Sequence, residues 1–208
     1  MLTDEAAYQT ALGSETASRG WFRCHWNAAG RCTEFTLYTF RQRAGPQPPV
    51  PFERFYWPIL THEGVHQILQ EYAGRNRIPD LLNEGFAAYF QGWNLGRTPA
   101  ENMQRRTSEY LAELTRPALT RDEIPRLSEI YDPQPWDVDS FGRRTLVRYA
   151  AAESLVEQHL ADPAGRMRLR TMLWQALDGA ADHDANRRYL DAIQEGFAQA
   201  LVERAQRP

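Results

Sequence analysis

The chain has 208 residues, room for one sizeable domain or two small ones. Hydrophobic residues make up 42% and aromatic residues 12% of it, with 24 basic residues against 27 acidic ones and a net charge of −3. That composition fits a globular protein and argues against general nucleic-acid binding, and no apolar window of about 18 residues exists to form a membrane span.

In chain order, Met1-Leu2-Thr3-Asp4-Glu5 lacks the basic region and apolar core of a signal peptide. As it stands the chain reads as cytoplasmic, and as exported if a leader precedes it. Residues 4–19 predict a short Ala-rich helix, stopped by Gly20. Trp21–Trp26 and Thr33–Phe40 predict two strands of a small N-terminal β-hairpin, turning at Asn27-Ala28-Ala29-Gly30. Cys24 and Cys32, the two cysteines, flank that turn; two free thiols are the default, and a cross-hairpin pair is the alternative. Residues 44–51 are a proline-rich loop.

Pro58 suits the first position of the next helix, because its missing N–H would have no helical partner there, and Gly74 suits its end. On this helix His62 and His66 stand four apart, so both imidazoles reach one metal ion. Glu63 lies beside them rather than between them, as a base acting on a metal-bound water should. The apolar residues Val65, Ile68, Leu69 and Tyr72 fall to the side and behind, where a core is expected. A second helix runs from Pro79 to Gly92. Leu82, Phe86, Tyr89 and Phe90 form its bulky face; Asp80, Glu84, Ala87, Ala88 and Gln91 form the other. The two alanines beside Glu84 allow close approach of another backbone, so Glu84 can complete a His62, His66, Glu84 ligand set. The plainer alternatives are two histidines with an incidental glutamate, and a solvent-facing Glu84.

The combination His62-Glu63-x-x-His66 with Asn83-Glu84-Gly85-Phe86-Ala87 resembles the gluzincin metallopeptidases. These are the peptidase MA-like superfamily, which includes thermolysin-like enzymes and membrane alanyl aminopeptidases. In layout the chain is most similar to uncharacterised bacterial H-E-x-x-H peptidase-MA-like domains. The resemblance is strong over about residues 55–95 and loose over about 20–180. It implies zinc on His62, His66 and Glu84, with Glu63 as general base. It also implies that one N-terminal strand borders the cleft and can pair with an extended peptide; a hairpin that merely caps the helices is the alternative. The Gly-x-Met-x-Asn substrate signature of the aminopeptidases is absent. In aminopeptidase-like members a tyrosine at about the remove of Tyr149 from Glu84 donates to the oxyanion. Tyr149 is therefore the candidate donor, with Tyr131 as the alternative and a core tyrosine as the plain reading.

Beyond the second helix, residues 100–115 predict one helix with Met103, Tyr110, Leu111 and Leu114 inward. Residues 116–136, with prolines at 117, 125, 133 and 135, predict an irregular rim. The acidic cluster Asp132, Asp137 and Asp139 lacks the spacing of a calcium loop and reads as a solvated cap. A helix over 141–160 carries Leu146, Tyr149, Glu153, Val156 and Leu160 in one stripe, and Glu153 there could orient a ligand histidine or meet a substrate amine. Asp162–Gly165 reads as a turn. Amphipathic helices follow over 166–177 and 186–205, with Trp174 among the buried residues, and His159 and His183 read as isolated surface residues.

The expected fold is therefore α+β: a single, mostly helical zincin-like metallopeptidase domain over 1–208. It comprises an N-terminal helix and β-hairpin (1–50), the metal-binding helices (51–95) and a helical subdomain (96–208). The expected function is zinc-dependent hydrolysis of a peptide or amide bond by Glu63-assisted attack of zinc-bound water, with Tyr149 at the oxyanion. The expected partner is a peptide or small amide substrate, with no nucleic acid and no membrane span. Two other readings stay open: an inactive zincin-fold binding module, and a zinc hydrolase or cyclase for a small amide or ester.

Overall fold

The computed structural model describes residues 20–28, 32–39, 52–93, 97–105, 108–114, 118–131 and 142–206. The expected helix over 4–19, the proline-rich 44–51 stretch and the Asp132, Asp137 and Asp139 cluster lie outside these residues. The described part is mostly helical.

Strands β1 (Gly20–Trp26) and β2 (Cys32–Thr39) pair antiparallel, Phe22 opposite Leu37, with an irregularity between His25 and Trp26. Cys24 stands opposite Phe35 and Cys32 opposite Trp26, so the cysteines are not register partners.

Helix α1 (Phe52–Ala73) begins before Pro58 and carries that proline inside it. Proline's fixed φ is helical, so it fits an interior position wherever one carbonyl, here that of Arg54, can go without an N–H donor. The expected stop holds. Gly74 has φ of 59° and returns its N–H to the Gln70 carbonyl at 2.9 Å, a left-handed cap that a side chain would strain. The orientation of α1 corrects the wheel argument. Leu69 is buried, but Ile68 and Tyr72 are 60% and 69% exposed, whereas His62 is only 9% exposed. The helix turns its polar, histidine-bearing face inward, which leaves part of its apolar flank outside.

Helix α2 (Asp80–Gln91) runs between Pro79 and Gly92 as expected. Residues Leu81, Leu82, Ala87, Ala88 and Tyr89 are all buried, so both faces of α2 are covered. The single helix expected over 100–115 is instead two, α3 (Pro99–Arg105) and α4 (Glu109–Glu113). Ser108 starts the second: its hydroxyl accepts the Leu111 N–H at 3.1 Å, the local competition that makes serine a cap rather than an interior helix residue. A 3₁₀ turn (Arg121–Glu123) and α5 (Leu127–Tyr131) follow.

Helix α6 (Arg143–Ala161) is the centre of the core. Val147, Ala150, Ala151, Ala152, Leu155 and Val156 are at most 1% exposed. It lies against α2 along a seam of small residues, so close that a Cβ on Gly85 would sit 2.8 Å from the Ala152 carbonyl oxygen and 3.0 Å from Val156. This approach brings Glu84 and Tyr149 to the same side of the interface. Helix α7 (Pro163–Leu177) starts inside the stretch expected to be a turn: Asp162 caps it by accepting the Gly165 N–H at 2.6 Å, and Pro163 takes the first helical position. Trp174 on α7 is 49% exposed, contrary to its expected burial.

Helix α8 (His183–Ala205) packs on α5, where Asn186 donates to the Tyr131 hydroxyl at 2.8 Å. His159 is not a surface residue but 8% exposed. Its Nδ1 bonds the Leu155 carbonyl and its Nε2 the Tyr189 hydroxyl, at 2.9 and 2.8 Å. Burial lowers its pKa and keeps it neutral, so it joins α6 to α8 as a satisfied core histidine.

Candidate metal centre

Helix periodicity puts His62 and His66 one above the other on the buried side of α1, with ring centroids 4.8 Å apart at 81°. Helix α2 brings Glu84 between them. One carboxylate oxygen, Oε2, lies 3.3 Å from His62 Nε2 and 3.5 Å from His66 Nε2. The three ligand atoms all fall within 4.8 Å of one another. A tetrahedral zinc with bonds of about 2.0–2.1 Å sets its ligand atoms about 3.3–3.4 Å apart; both edges to Glu84 lie near that spacing, while the trio as a whole spans up to 4.8 Å and would draw in around an ion.

The protons on the two rings point the same way. His62 Nδ1 faces the Gln91 side-chain oxygen at 2.9 Å, and His66 Nδ1 faces the Asn83 side-chain oxygen at 3.0 Å. An amide oxygen only accepts, so each imidazole donates from Nδ1 and a neutral ring presents a bare Nε2 lone pair toward Glu84. Glu84 Oε2 is itself buried and has no hydrogen-bond partner among the described residues. Three lone pairs therefore converge on one point, which costs free energy unless a cation sits there.

A proton is the competing cation. Burial opposes charge on His66 most, but the Glu84 carboxylate, with Glu63 and the Asn83 hydrogen bond, together outweigh it and lift the imidazole to about 9. Burial likewise opposes charge on Glu84, and the two histidines reverse this and hold its carboxyl well below the usual range. An imidazolium–carboxylate pair normally closes to about 2.7–2.9 Å. The 3.3 and 3.5 Å separations are longer than that.

Glu63 stands beside the trio and is not one of its three members. Burial raises its pKa most; the His62 and His66 charges pull it down, and Glu84 adds to the rise, for a net increase. Tyr149, on α6, is 9% exposed with its ring centroid 6.1 Å from that of His62. Its hydroxyl interacts with the Glu84 carboxyl group. Burial first, then the charges of Glu84, Tyr110 and Glu63, raise its pKa well above the phenolic value, so it stays a protonated donor. The alternative, Tyr131, is fully buried and bonded to Asn186 in the α5–α8 contact, apart from the trio.

No family model, curated protein or solved structure matches the chain. The arrangement of its own residues is what speaks for its chemistry.

Glu153 is buried and its carboxylate receives the Ser108 hydroxyl, while Asn83 and Gln91 face the Nδ1 atoms of the two histidines. These two carboxamides were within reach of the sequence. Asn83 adjoins Glu84, and Gln91 shares its helix face. Tyr110, whose hydroxyl also donates to Gln91 Oε1 at 2.9 Å and whose ring stacks on Tyr149 at 4.9 Å and 12°, carried no local signal.

Proposed function

We propose that this chain is a zinc-dependent hydrolase of peptide or amide bonds, with the helical core of a zincin-like, gluzincin-type domain. The carrying observation is the convergence of His62 Nε2, His66 Nε2 and Glu84 Oε2, a buried oxygen with no hydrogen-bond partner among the described residues, with both Nδ1 protons committed to amide oxygens. Two imidazoles and one carboxylate are a donor set that suits zinc and leaves a coordination position open, as catalytic zinc sites do. A bound zinc supplies Lewis acidity, lowering the pKa of a coordinated water to about 7 and polarising a carbonyl.

The chain's own residues do the rest. Glu63 accepts the proton of the attacking water at its carboxylate and passes it to the leaving nitrogen. A cation in the trio favours the charged carboxylate that this first step needs. Tyr149, kept protonated by burial, donates its hydroxyl hydrogen to the carbonyl oxygen as negative charge builds there. Asn83 and Gln91 hold the two rings in the tautomer that exposes Nε2.

The test is turnover of an unbiased peptide library by zinc-loaded protein, beside a panel of small amides and esters. Peptide cleavage that is lost in Glu63→Gln, with zinc retained, supports the reading. Turnover of small amides alone would keep the chemistry and replace the substrate class. No turnover by protein that holds zinc would favour a binding module.

A further inference from the structure

Gln91 is the last residue of α2, a long side chain with three rotatable bonds, and yet it fixes a proposed metal ligand. What holds it comes from a different part of the chain. Its Oε1 accepts from His62 Nδ1 and from the Tyr110 hydroxyl, both at 2.9 Å, which uses the two lone pairs a carbonyl oxygen has. Tyr110 sits in the first turn of α4, and its ring lies nearly parallel to that of Tyr149, 4.9 Å away. The short helix is itself tied down one residue before its start. The Ser108 hydroxyl donates to Glu153 on α6, one helical turn beyond Tyr149, while Ser108 Oγ accepts from Leu111. A single tyrosine therefore touches both halves of the proposed machinery: the orienting partner of His62 and the ring of the proposed oxyanion donor.

We propose that Tyr110 is a positioning residue of the metal centre. Its hydroxyl pins the Gln91 carboxamide so that Oε1 faces His62, and its ring sets the plane of Tyr149. This inference rests on the metal reading above and adds that α4 is part of the site. With the hydroxyl donating, Gln91 keeps its oxygen toward the imidazole, and His62 keeps its proton on Nδ1 and its lone pair on Nε2. Without it, Gln91 Oε1 loses one of its two donors, and part of the population turns its amide N–H toward His62, where it would demand the wrong tautomer.

The proposal is tested by a double-mutant cycle on metal affinity, read by chelator competition, with the visible spectrum of the cobalt-substituted protein as a second readout. Gln91→Leu should weaken zinc binding by about 10–100-fold, as loss of a ligand's orienting partner does. Tyr110→Phe keeps the stacked ring and loses only the hydroxyl; it should weaken binding several-fold and shift the cobalt bands, with unfolding of the metal-free protein little changed. In the Gln91→Leu background Tyr110→Phe should add nothing, because its effect passes through Gln91. Unaltered affinity and spectrum in Tyr110→Phe, or an effect that persists in full without Gln91, overturns the proposal while leaving the metal reading intact. A wild-type protein that binds neither zinc nor cobalt would end both. If Tyr110→Phe does not fold, Ser108→Ala, which loosens α4 from α6, must reproduce the weakened binding, and an unchanged affinity there likewise overturns it.

Discussion

Gly85 stands next to Glu84 at a close approach between α2 and α6, so its replacement probes the packing on which the site depends. A Cβ there meets the Ala152 carbonyl oxygen at 2.8 Å, against 3.4 Å or more for an ordinary contact, so the helices must separate by roughly 0.6 Å. The obstacle is backbone, which cannot swing away as a flexible side chain would. Overpacking of this kind costs about 1–3 kcal/mol, and the higher helix propensity of alanine returns up to about 1 kcal/mol. Gly85→Ala should therefore destabilise the metal-free protein by about 1–2 kcal/mol, a fall in Tm of about 2–8 °C for a chain of this size. Zinc affinity should fall with it, because Glu84 shifts out of its place relative to the histidines of α1. Gly196 in α8 is the control. A Cβ there meets nothing within 4 Å among the described residues, so Gly196→Ala should stabilise by about 0.5–1 kcal/mol. Urea unfolding of the three proteins decides it. A Gly85→Ala protein as stable as Gly196→Ala would refute the close α2–α6 approach and, with it, the account of how Glu84 is placed.

Three further outcomes are expected. Glu63→Gln should keep zinc and fold while losing hydrolysis by on the order of 10²–10⁴-fold; loss of zinc in that variant would make Glu63 a ligand instead. Tyr149→Phe should lower kcat by roughly 10²-fold with little change in KM, as for a donor used mainly in the transition state, and an unchanged kcat would leave it a stacking partner of Tyr110 only. At acid pH, the Arg143 hydrogen bond and then the Thr120 N–H hold Glu123 down to about 2 from 4.5. A depressed carboxyl stabilises the fold above its unfolded value, and this contribution disappears as pH falls from about 4.5 through about 2. Thermal unfolding of Glu123→Gln should show a shallower loss of stability over that window. The difference should shrink in high salt, because the pair is partly exposed, at 29% and 32%.

How much of this was legible in the sequence follows from the range over which each interaction acts. His62, His66 and Glu84 could be read because helical spacing is local and because alanines beside Glu84 announce a close neighbour. The span of α2 could be read from Pro79 and Gly92, since each sets its own backbone. The start of α1 could not: proline suits a first turn and, at the cost of one hydrogen bond, an interior one, and only the surroundings choose. The wheel identified an apolar flank on α1 but not which side is covered, so Ile68 and Tyr72 were misplaced once the histidine face turned inward. Ser108 broke an otherwise periodic stretch through a cap and a bond to Glu153, a residue distant in the chain. His159 looked isolated because its partner Tyr189 lies on another helix. Tyr110, which meets Gln91 and Tyr149 from a separate short helix, is a neighbour of the site that only the fold brings there.

The central claim is that His62, His66 and Glu84 hold one zinc ion, and zinc content measures it most directly. Purified protein, dialysed against zinc and then against buffer free of it, should retain about one zinc per chain. Glu84→Ala and His66→Ala, each confirmed as folded by circular dichroism, should retain far less. Equal zinc in wild type and both variants, or none in the wild type, would contradict the assignment of this trio as a metal centre.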